Sequence, residues 1–255
     1  MSPALPDHGD IVAGEARARV YCAIDTVDLE AATELTRTLI GAVDGIKLGL
    51  EFFLANGSSG YARIADLGLP IFLDLKFHDI PNTVAGAMRA VKPLAPRILT
   101  IHAGGGEAMM RRAVEAADDF HPRPFVVGVT VLTSLDADDL KALGVDGDPR
   151  RQAERLAGLA IGSGLDGIVC SPHELGALRR AYGDDFVAVV PGLRPSAETV
   201  ARSGEITGDD QKRIMTPRAA QSAGASVLVI GRPITQAEDP RAAALAIRAS
   251  LADPN

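Results

Sequence analysis

The chain has 255 residues, 47% of them apolar, with 26 Lys and Arg against 33 Asp and Glu and a net charge of −7. This composition suffices for a sizeable core and excludes a polar disordered chain, and the acidic balance disfavours a polyanion-binding surface. Seven Phe, three Tyr and no Trp argue against base-stacking platforms, so no nucleic-acid partner is expected, whereas a small anionic ligand in one local cationic pocket is compatible with the charge.

In chain order, short β-branched runs predict strands over 20–24, 45–48, 71–75, 97–101, 125–130, 167–170, 187–190 and 226–230. Apolar residues at three- and four-residue spacing predict helices over 28–40, 83–91, 107–117, 150–162, 172–181, 217–223 and 241–251. The segment 51–67 is ambiguous because Gly57-Ser58-Ser59-Gly60 breaks it. Eight strand–helix alternations imply a parallel sheet and a (β/α)₈ TIM barrel; an open doubly wound sheet would carry a GxGxxG after the first strand, where Asp25-Thr26-Val27-Asp28 stands instead. A single barrel domain over 19–255 with an N-terminal extension over 1–18 is expected, and the longest irregular stretches are 133–149 and 191–216.

No apolar run approaches the roughly 18 residues of a membrane helix. The first 18 residues hold no hydrophobic signal core, so a cytoplasmic protein with no membrane partner is expected. Cys22 and Cys170 lie apart in apolar runs and read as buried thiols, and Met109-Met110 read as core.

In a barrel the C-terminal strand ends form the active-site mouth. Those ends carry Asp25, Lys47, Asp74 with Lys76, His102, Thr130 with Thr133, Arg194 and Gly231-Arg232. Asp74 and Lys76 are two apart on a strand and project to one side, opposite Leu73 and Leu75. A structural salt bridge explains one such pair; it explains less well four charged ends on one face, since charges gathered away from water are costly. For His102, alternating with Ile98 and Thr100, a hydrogen-bonded barrel histidine is the better reading. Gly231 and Arg232 after the last strand, with Arg194 opposite, suit a phosphate: close backbone approach, free N–H groups and a guanidinium fork.

The run Asp74-Leu75-Lys76-Phe77-His78-Asp79-Ile80-Pro81-Asn82-Thr83 resembles the signature of the orotidine 5′-phosphate decarboxylase family. The resemblance extends from Val20 to about Leu251 and takes in Asp25, Lys47 in IKLG, VTVLTS, PGLRP, QKRIMTP and VIGRP. It implies a homodimeric (β/α)₈ carboxy-lyase with shared active sites that converts orotidine 5′-monophosphate to UMP and CO₂ in de novo pyrimidine synthesis, with no cofactor and no metal. Carried over, Asp25 and Lys47 bind the ribose hydroxyls, Asp74 lies beside the substrate carboxylate and Lys76 protonates C6. Asp79 and Thr83 reach the neighbouring subunit's site, Thr133 contacts the base, and Gln211, Gly231 and Arg232 hold the phosphate with help from Arg194. The stretch 196–210 is longer than this family's usual connection and reads equally as a phosphate-closing loop or a surface insertion.

Three alternatives remain at this point. A sugar-phosphate decarboxylase of the same barrel group shares DxKxxD and would need Mg²⁺. A Schiff-base aldolase would need an uncharged Lys47 or Lys76, and both have carboxylates nearby. A non-catalytic nucleotide-binding barrel would bind UMP without turnover.

Overall fold

The computed structural model describes residues 17–194 and 215–252. Strand β1 (Arg19–Ile24) is followed by α1 (Leu29–Leu39), β2 (Gly45–Gly49), α2 (Leu50–Ala65), β3 (Ile71–Phe77) and α3 (Pro81–Val91). Then come β4 (Ile98–His102), α4 (Glu107–Ala117), β5 (Phe125–Val129), α5 (Ala137–Ala142), α6 (Pro149–Gly162), β6 (Gly167–Val169) and α7 (Pro172–Tyr182). The chain continues through β7 (Val187–Val190), α8 (Pro217–Ser222), β8 (Val227–Ile230), α9 (Arg232–Thr235) and α10 (Pro240–Ala252). The eight strands pair in sequence order, all parallel, and β1 closes on β8 with Arg19 opposite Val227.

Closure follows from the residues. Alternate side chains of each strand face opposite ways, and both faces are buried, which is why the strands read as unbroken apolar runs. Tyr21, Phe72, Ile98, Phe125, Val127, Val187 and Val227 pack together inside the barrel. Val20, Cys22, Ile24, Leu73, Leu99 and Ile168 pack outward with the helices. Room for the Tyr21 ring comes from Gly45, where a Cβ would lie 2.4 Å from the ring. Helix starts are set by local chemistry: Asp28 accepts from the backbone N–H groups of Glu30 and Ala31, and Ser171 and Glu174 form a capping box.

Differences from expectation have local causes. The ambiguous 51–67 segment is helical, with a kink at Gly57 (φ 60°, ψ −160°). The 133–149 stretch, expected to be irregular, contains α5, whose six residues are too few for a periodicity to register; Asp136 and Asp139 cap it reciprocally. Strand β3 runs to Phe77, two residues beyond the expected 71–75. Of the expected N-terminal extension, residues 1–16 lie outside the described residues. The Arg17 guanidinium grips the Asp44 carboxylate with two bonds of 2.7 Å, and the Ala18 N–H donates to the Gln221 Oε1. Cys22, Cys170, Met109 and Met110 are buried, and both cysteines are free thiols.

Candidate active site

The last turn of β3 departs from regular pairing. Leu73 pairs with Leu99 and Phe77 with Ile101, so four steps along β3 oppose two along β4. Lys76 sits inside this bulge at φ 50°, a left-handed conformation that non-glycine residues rarely adopt. Its N–H donates to Thr100 Oγ1 (2.9 Å), which donates in turn to Asp74 Oδ1 (2.9 Å). The Lys76 Nζ closes on Asp74 Oδ2 at 2.7 Å. The expected meeting of Asp74 and Lys76 on one side of the strand therefore occurs, by direct contact, with the bulge and the Thr100 hydroxyl setting its geometry.

Lys47 extends the chain of charge. Its Nζ lies 3.6 Å from Asp74 Oδ2 and 3.2 Å from Asp25 Oδ1. Gly49 keeps this position open, because a Cβ there would stand 2.9 Å from the Lys47 Nζ. The result is an alternating row, Asp25–Lys47–Asp74–Lys76, with Asp74 only 7% exposed. Burial pushes the Asp74 carboxyl up, but Lys47, Lys76 and the hydrogen bonds from Lys76 and Thr100 outweigh it and hold the group below the usual carboxylate range. Burial likewise pulls the Lys47 ammonium down, and Asp74 and Asp25 overcome it, leaving the group above the ordinary lysine value.

The row forms the floor of a two-part cleft. One part, about 220 Å³, has apolar walls that include Phe72, Val129 and Val189, with Thr133 and Ser134 at one side and Asp74 and Lys76 at its base. The other, about 610 Å³, is a polar mouth lined by Asp25, Arg194, Gly231, Arg232, Thr235 and Gln236. Lys47, Pro191 and Val229 belong to both parts. At Gly231 a Cβ would meet Ala23 only at an ordinary 3.5 Å, so the missing side chain leaves free room in the mouth.

The structure brings together Asp25, Lys47, Asp74, Lys76, Thr133, Arg194, Gly231 and Arg232. It does not bring Asp79 or Thr83 to this cleft within one protomer. Both are exposed at the start of α3, and Asp79 Oδ1 accepts the Ile80 N–H at 2.6 Å. Gln211 and the 196–210 stretch lie outside the described residues. Thr130 is spent on the barrel wall, its hydroxyl donating to the Val169 carbonyl. His102 stacks on His78 at 5.2 Å and takes no part in lining the cleft; burial, with His78 and Lys76 nearby, lowers its pKa. Cys170, read as core, is buried and also forms part of the apolar wall. Thr100, Gly49, Thr235 and Gln236 were not foreseen. Thr100 carried a faint signal, a polar residue two before the end of an apolar strand. Among the described residues, no group of three or more His, Cys, Asp or Glu is placed to hold a metal ion.

A family model described as Orotidine 5′-phosphate decarboxylase / HUMPS family matches residues 18–247. The chain belongs to that family. Within the orotidine 5′-phosphate decarboxylase / HUMPS family it is 56% identical to an orotidine 5′-phosphate decarboxylase of Novosphingobium aromaticivorans, over 91% of this chain and 98% of that one. It is 54% identical to another from Sphingopyxis alaskensis over the same shares of the two chains. The crystal structure of orotidine 5′-phosphate decarboxylase from Lactobacillus acidophilus superimposes with a TM-score of 0.77 at 35% identity, covering 93% of this chain and all of that one. The closed eight-stranded barrel is thus shared with a solved member of that family.

Proposed function

We propose that the protein decarboxylates orotidine 5′-monophosphate to UMP and CO₂ in pyrimidine synthesis. The observation that carries this reading is the row Asp25–Lys47–Asp74–Lys76, lying where an apolar chamber opens into a cationic mouth. Relatives named for this activity at 47–56% identity favour it over a sugar-phosphate decarboxylase.

In the proposed reaction the C6–carboxylate bond breaks, its electron pair stays on C6, and the Lys76 Nζ delivers a proton there. Asp74 sits beside the departing carboxylate, and Asp25 and Lys47 take the ribose hydroxyls. Thr133 contacts the base, while Arg194, Gly231 and Arg232 bind the phosphate, a task the family resemblance also gives to Gln211. Asp79 and Thr83 serve the site of a second copy, which makes the working unit a homodimer. Acting on small polar metabolites, it would work in the cytoplasm; among the described residues no helix is long and apolar enough to cross a membrane.

Electrostatics supplies part of the rate. An ammonium about 4 Å from a developing carbanion, at an effective dielectric near 20, contributes about 4 kcal/mol, roughly a thousandfold. The rest must come from charge already in position around the reacting carbon and from binding energy at the remote phosphate.

Following the absorbance of orotidine 5′-monophosphate tests the reading. The wild type should consume it. Lys76→Ala should lose at least about a thousandfold in kcat, as the proton donor and its charge disappear together. Arg232→Ala should lose about 30- to 150-fold in kcat/KM through the phosphate. A wild-type protein that leaves the nucleotide intact overturns the proposal.

A further inference from the structure

We infer that Thr100 is a positioning residue of the decarboxylation centre, its one hydroxyl fixing both the Asp74 carboxylate and the backbone that carries Lys76. The consequence for rate rests on the function proposed above; the consequence for Asp74 rests on geometry alone.

Within the β3 bulge, regular pairing with β4 lapses between Leu73 and Phe77, so the Lys76 N–H has no ladder carbonyl opposite it. Thr100, fully buried on β4, supplies the acceptor instead, at 2.9 Å. A hydroxyl has a single proton to give, and this one goes to Asp74 Oδ1 at 2.9 Å. Asp74 must then accept on that oxygen, which favours the ionised carboxylate. Its other oxygen takes the Lys76 Nζ at 2.7 Å.

The three hydrogen bonds form a ring, closed by the Lys76 side chain itself. It runs from the Lys76 backbone through the Thr100 hydroxyl to the Asp74 carboxylate, and back through the Lys76 ammonium to the Lys76 backbone. Lys76 is thus held at both ends, main chain and side-chain tip, before any substrate arrives. A lysine side chain alone has several rotatable bonds and would be spread over many positions. A proton donor must instead lie within about 3 Å of the atom it serves, and small displacements there are costly to rate. Neither Asp25 nor Lys47 bridges Lys76 and Asp74 in this way among the described hydrogen bonds: Lys47 contacts Asp74 but not the Lys76 backbone.

Thr100→Val keeps the shape and removes the hydroxyl; Thr100→Ser restores it. Thr100→Val should lower kcat about 10- to 100-fold with KM within about threefold, because the lost interaction orders the reacting groups rather than the phosphate. The acid limb of its kcat profile should move up by about one pH unit, since Asp74 loses a donor to its charged form. Thr100→Ser should return to within about threefold of wild type on both counts. Carboxylate carbon-13 titration of the ligand-free proteins reads the same change without turnover: the Asp74 midpoint should rise in Thr100→Val and return in Thr100→Ser.

An unchanged kcat with an unmoved Asp74 midpoint in Thr100→Val overturns the inference, as does a loss confined to KM. If Thr100→Val does not fold, Thr100→Cys, with its weak S–H donor, replaces it and the same readouts apply. A wild type that spares the nucleotide, alongside an Asp74 midpoint that still depends on Thr100, overturns the proposed function while upholding the control of Asp74 by Thr100.

Discussion

Asp74 is the residue on which the charge row turns, because one carboxylate oxygen lies within reach of two ammonium groups, 2.7 Å from Lys76 and 3.6 Å from Lys47. Replacing it tests that arrangement. In Asp74→Asn the largely enclosed Lys47 keeps, among the described residues of its own chain, Asp25 as its opposing charge, so burial, which already pulls its pKa down, gains ground. The basic limb of kcat/KM should move to lower pH, and kcat should fall by about a thousandfold or more; a pH profile of the variant measures both. The charged members of the site were legible in the sequence because Asp25, Lys47, Asp74 and Lys76 interrupt apolar strands, where an ionisable side chain has few benign explanations. Thr100 and Gly49 were not, because threonine is at home in strands and glycine is common wherever turns occur. Their roles depend on how close two neighbouring strands bring their atoms, which no single strand's sequence states.

At the level of elements, regular segments were readable and irregular ones were not. Strand–helix alternation follows from apolar periodicity, and seven helices were anticipated near their observed positions. The β3 bulge leaves no mark in periodicity, because residues 71–77 keep an in–out alternation through it while the pairing shifts. Helix α2 was obscured by its own kink. Gly57 adopts φ 60° and ψ −160°, a combination in effect reserved for glycine, and a Cβ there would touch nothing within 4 Å. Gly57→Ala should therefore destabilise through backbone strain alone, by about 1–3 kcal/mol. At about 2–4 °C per kcal/mol for a chain of this size, that lowers Tm by several degrees, readable by calorimetry, while kcat stays near wild type. Steric need takes another form at Gly167, where a Cβ would lie 2.0 Å from the Val187 carbonyl oxygen and would push β6 away from β7.

Over the whole molecule, the net charge of −7 describes the exterior and says little about a mouth that holds Arg194 and Arg232 with Lys47 behind them. At the opposite end of the barrel, just before β2, lies a different ion cluster. Asp44 takes two bonds from Arg17 and the Val20 N–H at 2.8 Å, with Arg248 at 3.8 Å. Burial pushes the Asp44 carboxyl up, and its bonds to Arg17 and Val20 prevail, so the folded pKa is depressed. Its contribution to stability is thus present above the unfolded value of about 3.9 and is lost as pH falls through the folded value. Asp44→Asn should cost about 1–3 kcal/mol at neutral pH, and urea unfolding of the two proteins should converge as the pH drops below about 4.

The layers of side chains inside the strands have one more consequence. Tyr21, Phe72, Ile98 and Phe125 fill the tube beneath the charge row, each buried to within 8%. Among the described residues the barrel interior is packed below the row and open above it. In the proposed reaction, gas released beside Lys76 would meet these packed side chains below it, and the larger product would stand between it and the exit. On the proposed reaction both fragments would depart by the doorway through which their parent came in, so clearing that doorway would be a step of the cycle in its own right.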